Sequence, residues 1–494
     1  MKKFNGRIKI TIPVSYKDFV ENPIKYIDHY LQGCISKSNT NRDDARLLNE
    51  YYCGKQKILN KTRLNGTTDN NNKIVVNHIY RQVEFKKGFM VGTPISYSLA
   101  VSDKNTNNLT DLNRYLKDSN KASLDVEKFE DLYVSGLAYQ FIIPKTTDYD
   151  SNKGEAPFEL YNVKIGNAFK VYTDDITSKP LFDVIISEMV DKDFNKRKVY
   201  DVYYVKDNQC YTTTYTKIGN PIEKTEILKE PYSQLPLVEY SLNKNRMGIV
   251  ELVTAIQDGL NIIQSNQIDD IVEFVNSYLV FENQDLGEDW ANTVKEFRKN
   301  RAILLKTKNP QTPAKLDLLK QTMQHTEINA FFEMMLQEMY DIVAAPKTSG
   351  GVTSGGDTGQ ARILGNGWES AQNQATVDIS YEIKYEYELL KKIINICKEN
   401  ASKITDINAN DIDIKFSINM SNNILTKTQA LMNLYDMHIP YEDALNITGV
   451  TKDSYGLGQK WKKNDEEQKT IAMKMQTKKL GQSSKDSNAS NSEE

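Results

Sequence analysis

The residues of this chain that could do metal or nucleophile chemistry are four histidines, four cysteines and a few acid pairs. His29, His78, His325 and His438 lie far apart, with no HExxH and no Cys/His ligand spacing, so no zinc-type site is spelled out. Asp174-Asp175 and Asp411 with Asp413 lack the spacing of a two-metal site, and read as strand ends or solvated turns. A GxSxG elbow is absent. Cys34, Cys53, Cys210 and Cys397 form no CxxC and suit reduced thiols. Neither a metal nor a cofactor is implied. The remaining candidate is KTSGGVTSGGDTGQ, Lys347 to Gln360, with five glycines. Bare backbone can cradle a phosphate, but the nucleotide-binding loop ends in Gly-Lys-Ser/Thr between a strand and a helix. Here Lys347 precedes the glycines and a helix precedes the loop. Two readings stay open: an idle mobile surface loop, or one that touches a moving polymer.

Helices must hold that loop. Before it, Ile328, Phe331, Phe332, Met335, Met339 and Ile342 recur every three or four residues. Pro346 then ends the helix by removing a donor and restricting Ala345. After it, a helical period runs from Ala361 through Trp368, Ala371, Ala375, Ile379, Ile383, Leu390 and Ile394 to Cys397. Upstream, from Met247, Ile249, Val253, Ile256, Leu260, Ile263, Ile271 and Val275 mark another long helix. Asp258, Asp269, Asp270 and Glu273 lie on its polar side, as a solvated face or as a lining. Between the two helices YLVFEN, DWANTVKEF and RAILLKT predict a strand-helix-strand module.

The N-terminal half predicts helices at 16–31 and 41–52, the second capped by Asn39, Thr40 or Asn41. A polar loop (65–72) leads to a helix carrying Ile79, Val83 and Phe89, then an extended exit at 92–95. Another polar loop (102–108) and a helix at 124–135 follow. LAYQFII, FKVYTDD, LFDVIISEMV, VYDVYYV and CYTTTYT predict one mostly antiparallel sheet across 137–230. Its tyrosines could stack on bases, but without interleaved lysines and arginines they read as strand packing. DIDIKFSIN alternates as a half-buried strand, and TKTQALMNLYDM and YEDALNITGV form a small helical end. The residues after about 474 are too polar to pack and read as a disordered tail.

At 494 residues, with a formal net charge of −3 and a pI near 6.0, the chain can form two to four domains. It lacks the basic excess of a protein that wraps nucleic acid by counterion release. No apolar run reaches a membrane span and the N-terminus has no secretory core, so the chain reads as soluble and intracellular.

Three stretches resemble the portal proteins of tailed bacteriophages with long non-contractile tails. They are YYCGKQKIL with NNKIVVNHIYRQVEFKKGFMVGTPISY, then LPLVEYSLNKNRMGIVELVTAIQDGLNIIQSNQIDD, then SGGDTGQARI. In the last, Thr358-Gly359-Gln360-Ala361 stands where a Ser-Gly-x-Ala is expected. The resemblance covers roughly residues 40 to 450. It implies an α+β, multi-domain architecture: a wing (1–247 and 361–420), stem helices (248–276 and 323–345), a clip (277–322), a tunnel loop (346–360), a helical crown (421–473) and a tail (474–494). It further implies a ring, commonly of about twelve copies, at one capsid vertex of the virion, assembled in the host cytoplasm. Implied partners are double-stranded DNA, the terminase large subunit, a head-completion adaptor, and the major capsid and scaffolding proteins. Lys347, Thr348, Ser349, Gly350, Gly351, Gly355, Gly356 and Asp357 would face DNA, and the acids Asp258, Asp269, Asp270 and Glu273 would line the channel. Arg298, Lys299, Arg301 and Lys306 would meet a partner at the clip, or serve only as scattered surface charge. An enzyme acting on nucleic acid, and an oligomeric virion scaffold without DNA passage, are the competing readings.

Overall fold

The computed structural model describes residues 6–62, 71–99, 106–145, 149–150, 153–190, 194, 196–218, 222–275, 279–282, 292, 311, 315–318, 325–347, 367–400, 404, 407–418, 424–451, 457–471 and 473–474. The chain divides into two units. One comprises Met1–Asn49, Gln82–Glu251 and Gly356–Glu494, the other Glu50–Arg81 and Leu252–Gly355. Helix and sheet are mixed, as an α+β chain requires.

The first unit is built on a sheet of β1 (Thr11–Ile12), β5 (Ala168–Thr173), β6 (Pro180–Val190), β7 (Lys196–Lys206), β8 (Gln209–Lys217) and β10 (Leu228–Lys229), in that order, with β9 (Glu223–Lys224) also on β8. Its pairings are antiparallel except that of β1 with β5. The β7–β8 hairpin turns on Asp207 and Asn208, at φ 50° and 58°, the pair of left-handed residues that a tight two-residue hairpin needs. One face is covered by α1 (Tyr16–Glu21) and the start of α2 (Pro23–Tyr52). Phe19, Ile27, Leu31 and Cys34 join Val171, Phe182, Val184 and Val202 in one core. Phe19 stacks on Phe182 with centroids 5.8 Å apart.

A second sheet, β11 (Leu237–Ser241), β3 (Leu137–Pro144) and β4 (Phe158–Val163), packs against α5 (Lys121–Ser135) and α8 (Trp368–Glu399). Residues 137–230 therefore supply two sheets, not one. LAYQFII pairs outside the large sheet because its partner, β11, lies beyond the tyrosine-rich run. A two-stranded ladder joins β14 (Ile412–Lys415) to β2 (Ser96–Leu99). At the α5–β3 corner Gly136 has φ +78°, and an added Cβ would lie 2.4 Å from the Met247 carbonyl carbon. Only glycine permits that approach.

Two helix expectations are corrected. Positions 32–40 do not break the helix: α2 runs unbroken, and Asn41 is no cap. Its amide instead holds the extended N-terminal segment, accepting from the Ile8 N–H at 2.7 Å and donating to the Ile8 carbonyl at 2.8 Å. The last part of the polar loop expected at 102–108 is helical: α4 (Thr106–Asp118) starts there, anchored by buried Leu112, Tyr115 and Leu116, and 102–105 lie outside the described residues. The C-terminal part forms α9 (Ile424–Asp436), α10 (Tyr441–Thr448) and α11 (457–471), where Tyr435, Tyr441 and Trp461 stack with centroids 4.9 to 5.6 Å apart.

The second unit contains the long α6 (Ile249–Val275, from Leu252 on), α7 (His325–Ile342), the short ladder of β12 (Leu279–Glu282) with β13 (Lys315–Leu318), and residues 50–81. Of the helix expected at DWANTVKEF only Asn292 is described, and the strand at RAILLKT and the tail after 474 lie outside the described residues.

Candidate functional site

Within the second unit, α6 is apolar on one side but carries a buried polar row. Gln257, Asn261, Ser265 and Asp269 follow at four-residue intervals, and all are almost inaccessible. Such groups are costly to bury without partners. The partner here is the extended segment 71–77, which runs along the helix. The N–H groups of Asn72, Ile74, Val76 and His78 donate in turn to Asp269 Oδ1 at 2.8 Å, Ser265 Oγ at 3.0 Å, Asn261 Oδ1 at 2.9 Å and Gln257 Oε1 at 3.2 Å. Gln257 Nε2 returns a bond to the Val76 carbonyl at 2.7 Å. The match is geometric. Two residues of extended chain advance about 6.6 Å and four residues of helix about 6.0 Å, so every second amide meets the next rung.

The row continues at both ends. Lys61 Nζ reaches Asp269 Oδ2 at 2.8 Å, and the Asn72 side chain adds a bond to Asp269 Oδ1 at 2.8 Å. Burial alone would raise the Asp269 carboxyl, but the bonds from Lys61 and Asn72 outweigh it and hold it below the ordinary value. At the other end Asn77 caps α3 (His78–Val91) by accepting from the Tyr80 N–H at 3.2 Å. The stretches NNKIVVNHI and IQDGLNIIQSNQIDD, read separately in the sequence, thus face each other rung by rung.

The sequence-predicted site residues fall in different places. Asp258 is half-buried and accepts from the Tyr51 hydroxyl at 3.1 Å. Asp269 is the end rung of the row, and Asp270 is exposed. Glu273 lies on α6, its side chain outside the described residues. Of the loop candidates only Lys347 is described, and its ammonium meets Glu333 of α7 at 2.6 Å. Thr348, Ser349, Gly350, Gly351, Gly355, Gly356 and Asp357, together with Arg298, Lys299, Arg301 and Lys306, lie outside the described residues. The acid pairs are structural: Asp175 accepts from Thr173, Thr177 and Ser178 in a turn, and Asp411 closes a capping box with Asn408. Among the described residues no group of three or more His, Cys, Asp or Glu could hold a metal ion.

Helix α7 buries Leu336, Met339 and Tyr340, yet Phe331, Met334 and Ile342 stand about half exposed on one of its faces. Among the described residues the apolar stripe of this helix is therefore only partly covered. Close approach of α6 and α7 occurs at Gly259, where an added Cβ would lie 2.7 Å from Met335 Cε, and Gln267 Nε2 donates to Asn329 Oδ1 at 3.0 Å. The row on α6 was missed in the sequence, although a four-residue polar spacing on an apolar helix is a readable signal.

Two long helices, a two-stranded ladder that lies between them in sequence and a strap along the first make up this unit, and the resemblance to portal proteins is a question for the whole chain. Comparison with protein families decides it: the profile "Phage portal protein, SPP1 Gp6-like" matches residues 31–474, nearly the whole chain. The chain belongs to this phage portal protein family. No curated protein matches it individually. The portal family is a structural one, of the capsid vertex and of DNA packaging, which bears out the resemblance and the α+β class.

Proposed function

We propose that copies of this chain close into a portal ring, of about twelve as is common in the family, at one capsid vertex, and that its axial channel passes double-stranded DNA during packaging and ejection. The observation that carries this reading, beside the family match, is the uncovered face of Phe331, Met334 and Ile342 on α7. A head-to-tail ring gives every copy the same neighbour contact and leaves no end. In this reading α6 and α7 form the stem, 277–322 the clip, 346–360 the tunnel loop and 421–473 the crown. Arg298, Lys299, Arg301 and Lys306 meet the terminase large subunit and later a head-completion adaptor, and the wing meets the major capsid and scaffolding proteins. A net charge of −3 suits a conduit, because each phosphate neutralised would add attraction that the motor must overcome.

Native mass spectrometry with negative-stain imaging of the purified chain, alone and with its scaffolding protein, tests the reading. A closed ring with a hole wide enough for duplex DNA is the expected result. Persistent monomer or dimer in both preparations would overturn it.

A further inference from the structure

In the first unit α8 carries three acids on successive turns, Asp378, Glu382 and Glu386, and all three are buried. Facing them, α5 presents Lys121, Asp125 and Lys128, also buried. The charges around Glu382 do not balance. Lys128 Nζ donates to Glu386 Oε1 at 2.5 Å, while Lys121 lies 3.1 Å from Glu386 Oε2 and pairs with Asp125. Glu386 also accepts from the Tyr97 hydroxyl of β2 at 3.2 Å. Glu382 is left over. Lys128 stands 3.4 Å from its Oε2 but is turned to Glu386, so the contact that Glu382 receives from it is long and shared.

Its other neighbours do not compensate. Asp125 and Glu386 are like charges. The Tyr240 hydroxyl of β11 is given to Gln140 at 2.7 Å and that of Tyr133 to Asp378 at 3.2 Å. Tyr385 lies within its field, and the buried Lys86 of α3 acts on Asp378. Three carboxylates, Asp125, Glu382 and Glu386, thus share two ammonium groups, Lys121 and Lys128. A buried carboxylate with only a long, shared contact is costlier than a protonated one. A cavity of about 250 Å³, lined by Pro94, Ile95, Tyr97, Leu116, Lys121 and Asp125, reaches the Lys121–Asp125 end of the cluster.

We propose that Glu382 is a proton-responsive latch, which holds α8 against α5 while protonated and loosens that packing when the proton leaves. Burial pushes its carboxyl up to about 7, against the pull of Lys128. Glu386, one turn on, is held below the ordinary range because Lys121 and Lys128 outweigh burial. The two acids therefore respond with opposite sign. Glu382 favours the folded state at low pH and loses that contribution as pH rises through about 7. Glu386 contributes above the ordinary carboxylate range and loses its contribution only on strong acidification.

The test is the denaturant midpoint of the full-length chain from about pH 5 to 8 at fixed ionic strength, the slope being read between the ordinary carboxylate value and about 7, for wild type, Glu382→Gln, Glu382→Leu and Glu386→Gln. Asp131 and Glu251, also pushed up to about 7, titrate in the same window, so the readout is the difference from wild type. Expected for Glu382→Gln is a midpoint above wild type at the alkaline end and a pH slope shallower by up to about one proton. Glu382→Leu matches the size without amide groups that need partners, and should give the same flattening if Gln packs poorly. Glu386→Gln should lower the midpoint across the window. Glu382 variants that lower the midpoint equally at both ends, with slopes parallel to wild type, would overturn the latch.

Discussion

At the scale of single residues, the strongest commitments are ion pairs with few alternatives. Arg7 and Glu251 are both fully buried and meet at 2.6 Å, while Arg7 Nε and Nη1 and Glu251 Oε1 find no hydrogen bond. Burial pushes Glu251 up to about 7 despite Arg7. Removing one partner strands the other, so Arg7→Met should cost about 3–5 kcal/mol, and Arg7→Met with Glu251→Leu distinctly less. Chemical denaturation of the two variants decides it; a double variant as unstable as the single one would contradict the account. Asp269 behaves oppositely. Its carboxylate is held low by Lys61 and Asn72, so its contribution is present above the ordinary carboxylate value and lost as pH falls through its lowered one. Asp269→Ala should cost about 1–3 kcal/mol at neutral pH, since it orphans the Asn72 N–H and strips Lys61 of its charge partner, leaving that ammonium only its bond to Asn266 Oδ1 at 2.9 Å. That loss should shrink in acid. Asp269 also marks what the sequence could not disclose: an acid on a polar helix side reads alike whether it meets solvent, a channel or, as here, a strap 197 positions away.

At the scale of elements, the polar row on α6 makes a local prediction. Ser265→Ala should speed hydrogen exchange of the Ile74 amide and Asn261→Ala that of Val76, because each rung holds one named N–H. Equal acceleration along the whole strap in both variants would mean that it detaches as one piece. Elements were legible where periodicity decided them. Ile79, Val83 and Phe89 are buried on α3, and Pro346 follows the end of α7. They were illegible where a distant partner overrode a local signal. Asn41 looks like a cap, yet it serves the Ile8 backbone, and α2 runs through. Leu112, Tyr115 and Leu116 gave α4 a short apolar face that the polar TNNLTD start concealed. β1 is two residues long and joins β5 in parallel, a pairing that sequence neighbours cannot announce.

At the scale of the whole molecule, the proposed ring would separate assembly, at the exposed face of α7, from transport, at the glycine-rich stretch that follows it in sequence. Phe331→Glu places a charge in a contact that the ring would desolvate. It should leave the denaturant midpoint of the isolated chain nearly unchanged, since Phe331 is about half exposed, while native mass spectrometry loses the closed ring. The loop should do the reverse. Five glycines between 350 and 359 offer backbone without bulk, suited to repeated contact with a sliding polymer rather than to holding a neighbour. Replacing 349–356 with a stiff segment of equal length should therefore spare the ring and reduce DNA packaged per head. Lys347 is the control between the two, because its pair with Glu333 ties the loop base to α7 at 2.6 Å. Lys347→Ala at the reading that DNA competes for this lysine should alter packaging without altering ring mass. A loop replacement that packages at the wild-type rate would remove the loop from transport. In the proposed ring, α6 and α7 alone would then have to guide DNA.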